Sequence, residues 1–115
     1  MTYYFCDLEI DKTVSFHDTA MLLGDIFGVP FIKDETFRFD EVLAYIADSD
    51  SLEYILFCVP EEEAMFYDDI SYYHLRIRSQ DRNSEGDRIN ISSEIKRKID
   101  NHGRLRCEVM KNSED

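Results

Sequence analysis

The stretch DEVLAYIADSDSLEYILFCV, residues 40–59, decides which fold the sequence predicts, because its two halves follow different patterns. In the first half, apolar residues recur at the spacing of one helix face behind Asp40, a residue type that favours helix N-termini. The second half, LEYILFCV at 52–59, is a nearly continuous apolar run, which is typical of a strand covered on both faces. We therefore predict a helix over about 41–48, a break at the SDS of 49–51, and then a buried strand.

Upstream of this stretch, the sequence predicts one strand and one helix. In YYFCDLEI, residues 3–10, every second residue is apolar throughout, and the residues between them change from aromatic to acidic. This alternation predicts a strand that is apolar on both faces at its start. A helix is expected to begin at Ser15, with Asp18 in the capping-box position, and to end at Gly28. Residues 29–38 then form a loop or a short extended piece.

Downstream, the pattern predicts a strand, a helix and a last strand. PEEEAMFYDDI at 60–70 forms an acidic connector, and SYYHLRIRS at 71–79 alternates as a strand does. After a polar loop, a helix capped by Ser92 or Ser93 carries Lys96 and Asp100 four residues apart and ends at Gly103. RLRCEVM then supplies the final strand.

This order of elements sets the expected fold class. A helix between consecutive strands indicates parallel neighbours, with the helices packed on a sheet. We expect an α/β fold, or α+β as the alternative: a small, mostly parallel sheet of three or four strands packed with about three helices. The 115 residues, 43% of them hydrophobic, suit one domain over 1–110 followed by a frayed acidic tail at 111–115.

The charge is negative and unevenly distributed. The chain carries a net charge of −12. Residues 1–70 contain 17 acids and three bases, whereas residues 71–115 contain eight acids and ten bases. Direct binding of nucleic acid by the first part is disfavoured, because its charge repels phosphates, whereas a basic partner would be attracted. The simpler interpretation is that acidity only keeps the protein soluble.

Cysteine usage and the first residues indicate a reduced, cytoplasmic protein. Cys6, Cys58 and Cys107 are far apart and odd in number, which argues against disulfides. One cysteine in each of three strands would allow a metal site, but there is no C-x-x-C pair, so the sequence favours buried core thiols and no cofactor. MTYYFCDLEI at 1–10 has no basic run before its apolar residues and does not resemble a signal peptide.

No catalytic motif is present in the sequence. His17, His74 and His102 are scattered, and none has a neighbour that would define a triad. The four glycines do not cluster into a phosphate loop. The basic run IKRK at 95–98 fits a solvated helix face better than a nucleic-acid site. We therefore expect no enzymatic activity.

The acidic residues, together with interspersed tyrosines, are the candidate binding surface. Carboxylates would pair with lysine or arginine, and tyrosines would supply rigid contact area. A solvated acidic loop is the simpler interpretation for 61–63 alone. The candidate partner-binding residues are Asp34, Glu35, Asp40, Glu41, Tyr45, Asp48, Glu61, Glu62, Glu63, Tyr67, Asp68 and Asp69.

In its order of elements the chain resembles barstar-like ribonuclease inhibitors, and in its acidity small bacterial immunity proteins. The strands and helices of that family would correspond, in order, to the segments YYFCDLEI, SFHDTAMLLGDIFGVP, FDEVLAYIADS, LEYILFCVP and SEIKRKIDNHGRLRCEVM. The resemblance implies that the second helix and the loop before it block the phosphate-binding site of a nuclease. Asp40 matches the first carboxylate of that motif, whereas Ala44 stands at the second and the loop FIKDETFRF lacks the aromatic-glycine sequence.

Taken together, these features predict an immunity or antitoxin-type protein. It would bind a basic toxin domain, expected to be a nuclease, and occlude its active site with an acidic and aromatic surface. Three alternatives remain open at this point. They are a nucleic-acid mimic that inhibits a DNA-binding protein, a small enzyme with His74 or His17 beside a carboxylate of perturbed pKa, and a subunit of a larger complex.

Overall fold

The computed structural model of the chain describes residues 3–34, 43–49, 51–58, 72–80 and 88–109. None of the helices in these ranges is both long and apolar enough to span a membrane. In chain order the described elements are β1 (Tyr3–Asp11), α1 (Phe16–Phe27), β2 (Ile32–Lys33), β3 (Ala44–Ser49), β4 (Leu52–Phe57), β5 (Tyr72–Ser79), β6 (Arg88–Asn90), α2 (Ser92–His102) and β7 (Cys107–Val109).

All seven described strands belong to one sheet, in which they follow the order β2-β3-β4-β5-β1-β6, with β7 also on β1. Only one of the described pairings, β1 with β6, is parallel. β5 pairs with β1 along one edge. On the other edge of β1, β6 pairs with Tyr3–Phe5 and β7 pairs with Leu8–Ile10. β1 is therefore an interior strand whose second edge is covered by two short strands.

The main core lies between the sheet and the two helices. Leu23 of α1 and Ile99 of α2 are fully buried in one cluster with Leu8, Leu56 and Leu75 of the sheet. Burial of each such side chain contributes about 1.5–3 kcal/mol, so this helix-covered face supplies most of the hydrophobic stabilisation. A smaller buried cluster lies on the opposite face of the sheet and consists of Ala44, Ile55 and Phe57.

The predicted fold class is wrong. The described sheet is mostly antiparallel and has seven strands with two helices, whereas a mostly parallel sheet of three or four strands with about three helices was expected. LEYILFCV does contain a strand that is buried on both faces. It lies between two antiparallel neighbours, β3 and β5, so burial on both faces did not require a parallel sheet.

The source of the error is the helix predicted over 41–48. Residues 44–49 form β3, which pairs with β4 in a hairpin from Ala44↔Phe57 to Ser49↔Leu52. Tyr45 and Ala47 are buried on the helix-covered face and Ala44 on the other face. Because both faces of β3 are apolar, the period of two is hidden and a helical spacing fits the same residues.

Both described helices end at the glycines that the sequence predicts, whereas only α1 has the predicted N-cap. Ser15 caps α1 by accepting a hydrogen bond from the Asp18 N–H at 3.1 Å, as predicted. Gly28 and Gly103 end the helices with φ angles of 71° and 82°, which glycine adopts without strain. The N-cap of α2 is Ile91, with no side-chain cap, so the predicted capping by Ser92 or Ser93 is wrong.

The loops between strands leave the sheet at two opposite ends. At one end β1 finishes and β5 begins, because Asp11 pairs with Tyr72. β3 begins and β4 finishes at this same end, since Ala44 pairs with Phe57, which in turn pairs with His74. We call this the Asp11 end. The opposite end holds the turn between β3 and β4 and is called the hairpin end.

Candidate functional site

The Asp11 end anchors the two acidic segments of the sequence, 35–42 and 59–71. The residue before the first, Asp34, donates its N–H to the carbonyl of Ala44 at 2.9 Å. The residue before the second, Cys58, donates its N–H to the carbonyl of Leu43 at 2.9 Å. The described residues that flank both segments are therefore neighbours at one end of one sheet.

Three of the twelve candidate binding residues lie within the described ranges, and the sheet separates them. Asp34 is half-buried at the Asp11 end. Tyr45 is only 9% exposed and lies under α1, where its ring centroid is 5.0 Å from that of Phe16 and its hydroxyl is 3.1 Å from Nδ1 of His17. Asp48 is exposed at the hairpin end and accepts a hydrogen bond of 3.4 Å from Gln80.

The other nine candidate residues lie outside the residues that the structure describes. They belong to the two acidic segments whose flanking residues meet at the Asp11 end. These nine are Glu35, Asp40, Glu41, Glu61, Glu62, Glu63, Tyr67, Asp68 and Asp69.

The described part of the chain is nearly neutral, although the whole chain is strongly acidic. The described ranges contain 11 acids and ten bases, a net charge of −1. Of the total of −12, therefore, −11 belongs to the remaining residues. The segment 59–71 alone contributes five acids and no base. The excess of acid is a property of specific segments and is not spread evenly over the fold.

Aromatic side chains fill the helix-covered face next to the Asp11 end. The ring of Phe16 packs against Tyr45 and, with centroids 5.2 Å apart, against Tyr73. The Tyr73 hydroxyl donates to the carbonyl of Val14 at 3.1 Å, and the ammonium of Lys12 lies 5.2 Å from the Tyr73 ring centroid. These contacts fix the loop between β1 and α1 at the Asp11 end.

A buried polar network occupies the sheet face opposite the helices. Asp7 of β1 accepts a hydrogen bond from Nε2 of His74 at 3.0 Å and two from Arg78, at 3.1 and 3.2 Å. Arg78 also donates to the carbonyls of Cys6 and Ile77. His74 is only 2% exposed and stacks obliquely on Phe57, with centroids 5.6 Å apart.

The charges of this network determine its protonation. Burial alone raises the pKa of the Asp7 carboxyl, but the hydrogen bond from His74 and the charge of Arg78 outweigh burial and hold the pKa below 3.8. An ionised carboxylate only accepts hydrogen bonds, so the Nε2 atom of His74 carries its proton. His74 Nδ1 is buried without a hydrogen-bond partner among the described residues.

This arrangement has one feature of a general base and lacks another. A carboxylate that holds one ring nitrogen of a histidine leaves the second nitrogen to accept a proton, as in many catalytic pairs. A substrate must also reach that nitrogen, and the His74 side chain is 3% exposed. The groove of about 430 Å³ along α1, from Ala20 to Phe31, contains one titratable side chain, Asp25. Neither place combines access with an acid–base pair.

The cysteines behave as packing residues. Cys6 and Cys107 are buried, and Cys58 is half-buried at the end of β4. Burial raises the pKa of the Cys6 thiol to about 12 and that of Cys107 to about 11, so neither is a thiolate at neutral pH. Within the described ranges no group of three metal-binding side chains comes together.

The Asp7 network was not identified from the sequence. The sequence indicates His74 only as a histidine that could stand beside a carboxylate of perturbed pKa. The available signal was the alternation of His74, Arg76 and Arg78 on one side of a strand, which places three basic groups on one sheet face. Their acidic partner depends on the register of β5 against β1, which the sequence pattern does not specify.

Comparison with protein-family models, with curated proteins and with solved structures found no match to this chain.

Proposed function

We propose that this chain is a non-enzymatic, cytoplasmic inhibitor that binds a basic protein through the acidic segments anchored at the Asp11 end. Of the functions considered, an immunity or antitoxin protein that blocks a nuclease domain agrees best with this charge distribution. The acids would occupy positions that the phosphates of a nucleic acid take on the partner. Tyr45 is excluded from the proposed surface because it is buried, and Asp48 because it lies at the hairpin end.

One observation carries the proposal. Nearly all of the excess acidic charge belongs to residues outside the described ranges, and the described residues that flank 35–42 and 59–71 are hydrogen-bonded neighbours. Acidic residues that only keep a protein soluble do not need to be concentrated in segments whose flanking residues are neighbours. Eight acids and one base, in two segments whose flanking residues meet at one end of the sheet, create a local field that attracts and orients a basic partner.

The proposal does not rest on the resemblance to barstar-like inhibitors. That resemblance depended on a helix over 41–48, where residues 44–49 form β3. The element order therefore differs from that of the family where its binding helix would stand. The proposal rests on the charge of the acidic segments and on the positions of the residues that flank them. It does not include a helix that fills the partner's active site.

The test is capture of the partner from lysate of the cells that make the protein, with elution in a salt gradient and identification by mass spectrometry. The purified partner is then titrated by calorimetry against two variants of equal charge. E61K/E62K/E63K alters the proposed surface. D25K/D48K/E94K alters three exposed acids elsewhere on the described fold. Circular dichroism verifies that both remain folded.

The proposal predicts that the first variant weakens binding by about tenfold or more, and that the second changes it by less than about threefold. Equal losses in both variants would mean that net charge alone attracts the partner. Failure to retain any basic protein above moderate salt would remove the inhibitor function.

A further inference from the structure

A groove of about 430 Å³ runs between α1 and the edge of the sheet at β2. Its lining consists of Ala20, Met21, Gly24, Asp25 and residues 28–31. The volume lies within the range of about 300–1,000 Å³ that is usual for ligand pockets. Apart from Asp25, the residues that line the groove are small or apolar, so it accommodates apolar side chains.

The sheet edge beside the groove presents backbone groups for a further strand. Among the described strands, β2 pairs only with β3. Lys33 lies opposite Tyr45, and the next residue, Asp34, donates its N–H to the carbonyl of Ala44 at 2.9 Å. Bonded and non-bonded pairs alternate along an antiparallel ladder. Lys33 is therefore at a non-bonded position, and its N–H and C=O groups point away from β3 toward the open edge.

The side chains of β2 show that this edge is accessible. Ile32 is 66% exposed, the largest value among the exposed large hydrophobic residues of the described ranges, and Lys33 is exposed as well. Directly paired residues share a sheet face, so Lys33 lies on the helix-covered face with Tyr45. A residue that pairs with Lys33 from outside would place its side chain on that same face, beside the groove.

One end of the groove favours a cation. Asp25 is exposed, and none of the ion pairs within the described ranges involves it. Lys98 of α2 lies 5.8 Å from the ring centroid of Phe27, which is two residues after Asp25 and therefore on the opposite side of α1. A basic group in the groove would thus find a carboxylate at the C-terminal end of α1.

The base that follows the groove in the chain, Lys33, stands toward the other end. It pairs with Tyr45, whose hydroxyl is 3.1 Å from Nδ1 of His17. His17 and Asp25 are eight residues apart on α1, which is about 12 Å along the helix axis. The positive charge of Lys33 and the negative charge of Asp25 are therefore at different ends of the groove.

We infer that this edge binds an extended peptide of another protein, which adds a strand to β2. Backbone hydrogen bonds to Lys33 hold the strand, alternate apolar side chains occupy the groove, and a lysine or arginine pairs with Asp25. A second copy of this chain is a poorer ligand, because pairing β2 with β2 would bring two Lys33 side chains together. The peptide site is independent of the proposed function, since the groove contains no residue of 35–42 or 59–71.

The probe is a fluorescein-labelled peptide, Ser-Val-Thr-Phe-Thr-Lys-Ser, in which valine, phenylalanine and lysine share one face of an extended strand. A second peptide has glutamate in place of the lysine. Binding to wild-type protein and four variants is measured by fluorescence anisotropy at about 50 mM salt, where screening is weak. K33P removes the outward N–H, at a position where edge strands tolerate proline, and K33A controls for the lost side chain. D25K is matched by E94K, which changes an exposed acid on α2.

The lysine peptide should bind wild-type protein with a Kd below about 1 mM. We expect K33P to weaken binding about fivefold or more beyond K33A, because the peptide carbonyl loses its donor. D25K should weaken the lysine peptide about threefold or more and strengthen the glutamate peptide, whereas E94K should change neither. Equal effects within either pair of variants, or no binding of the lysine peptide, would overturn the inference.

Amide hydrogen exchange followed by NMR tests the strand pairing in the wild-type protein, and it decides the matter if K33P does not fold. Saturation with the lysine peptide should slow exchange of the Lys33 N–H about tenfold or more. The Asp34 N–H, already bonded to Ala44, should change less. Unchanged exchange at Lys33 would overturn the inference. A dimer of the free protein that K33P dissociates, measured by analytical ultracentrifugation, would assign the edge to a second copy and also overturn it.

Discussion

Asp7 lies opposite Arg76 in the register of β1 and β5, yet its carboxylate binds the two diagonal neighbours of that residue, His74 and Arg78. Arg76 instead places its guanidinium 5.2 Å from the centroid of the Phe57 ring. One carboxylate therefore links two residues that are four apart on β5. A slip of one residue would move Asp7 to the other sheet face and break both contacts, so the network helps to specify the register.

Replacing Asp7 with asparagine should destabilise the protein strongly. The substitution leaves the positive charge of Arg78 near a buried histidine without its counter-charge, and loss of one partner from such a network costs about 3–5 kcal/mol. Glu9→Gln is the matched control on the same face of the same strand, and it should change stability by less than about 1 kcal/mol. Urea unfolding at neutral pH measures both, and equal effects would contradict the role of the network.

The stabilisation by Asp7 should depend on pH in a defined direction. Because its folded pKa is depressed, the contribution is present in full above the unfolded value near 3.8 and is lost as the pH falls through the folded pKa. The difference in unfolding free energy between wild-type protein and D7N should therefore shrink as the pH falls below about 4. Urea titrations at descending pH test this, and a difference that stays constant in strong acid would count against it.

Glu108 should be replaceable with a gain in stability. It is exposed on β7 directly opposite Glu9 of β1, and like charges in a cross-strand pair are unfavourable. We expect Glu108→Gln to raise the unfolding free energy by about 0.2–1 kcal/mol. Glu94→Gln removes the same charge from the first turn of α2, where an acid is favourable. This control should lower the free energy of unfolding slightly. A gain in both variants would indicate that only the total charge matters.

Gly24 should not tolerate alanine, although it lies within α1. A Cβ atom at this position would stand 2.9 Å from the carbonyl oxygen of Val29, in the turn that follows the helix. In a solvated helix, replacing glycine with alanine raises the free energy of unfolding by about 1 kcal/mol. At Gly24 we expect the free energy of unfolding to fall by about 1–3 kcal/mol instead, because the added methyl group overpacks the turn. Thermal unfolding decides the sign. Asp25→Ala, at the next and exposed position, controls for general effects on the helix.

The thiols should differ in reactivity as they differ in burial. At pH 8, a thiol reagent should modify no more than Cys58 rapidly in the folded protein, because Cys58 is only half-buried whereas Cys6 and Cys107 are buried. Burial raises the pKa of all three thiols, to about 12 for Cys6 and about 11 for Cys107. All three should react in urea. Cys58→Ser should abolish the rapid phase, and rapid modification of two thiols in the folded protein would show that the core opens readily.

The sequence was sufficient where structure is decided locally. Ser15 and Gly28 mark the ends of α1 through a cap and a positive φ, and both signals lie within the helix or next to it. β3 was missed because its decisive interactions are with β4 and with apolar layers on both faces. Neither is visible in the pattern of Tyr45 and Ile46 alone.

The candidate site was predictable in charge but not in arrangement. The acidity of 59–71 is plain in the sequence, whereas the proximity of the residues that flank 59–71 and 35–42 follows from hydrogen bonds such as that between Cys58 and Leu43. The contact between Asp7 and His74 joins residues 67 positions apart and depends on strand register. Long-range pairing carries this information, and local periodicity does not.

The two short strands on the second edge of β1 also govern the order in which the protein acquires its structure during synthesis. β1 emerges from the ribosome before the strands that pair with it, which begin only at Tyr72 and Arg88 and end at Val109. Nascent β1 therefore has no partner strand until most of the other residues have been translated. Until then both of its edges are unpaired and its apolar side is exposed. Folding is then a late event, and any pause before Cys107 leaves a strand available for aggregation or for a chaperone.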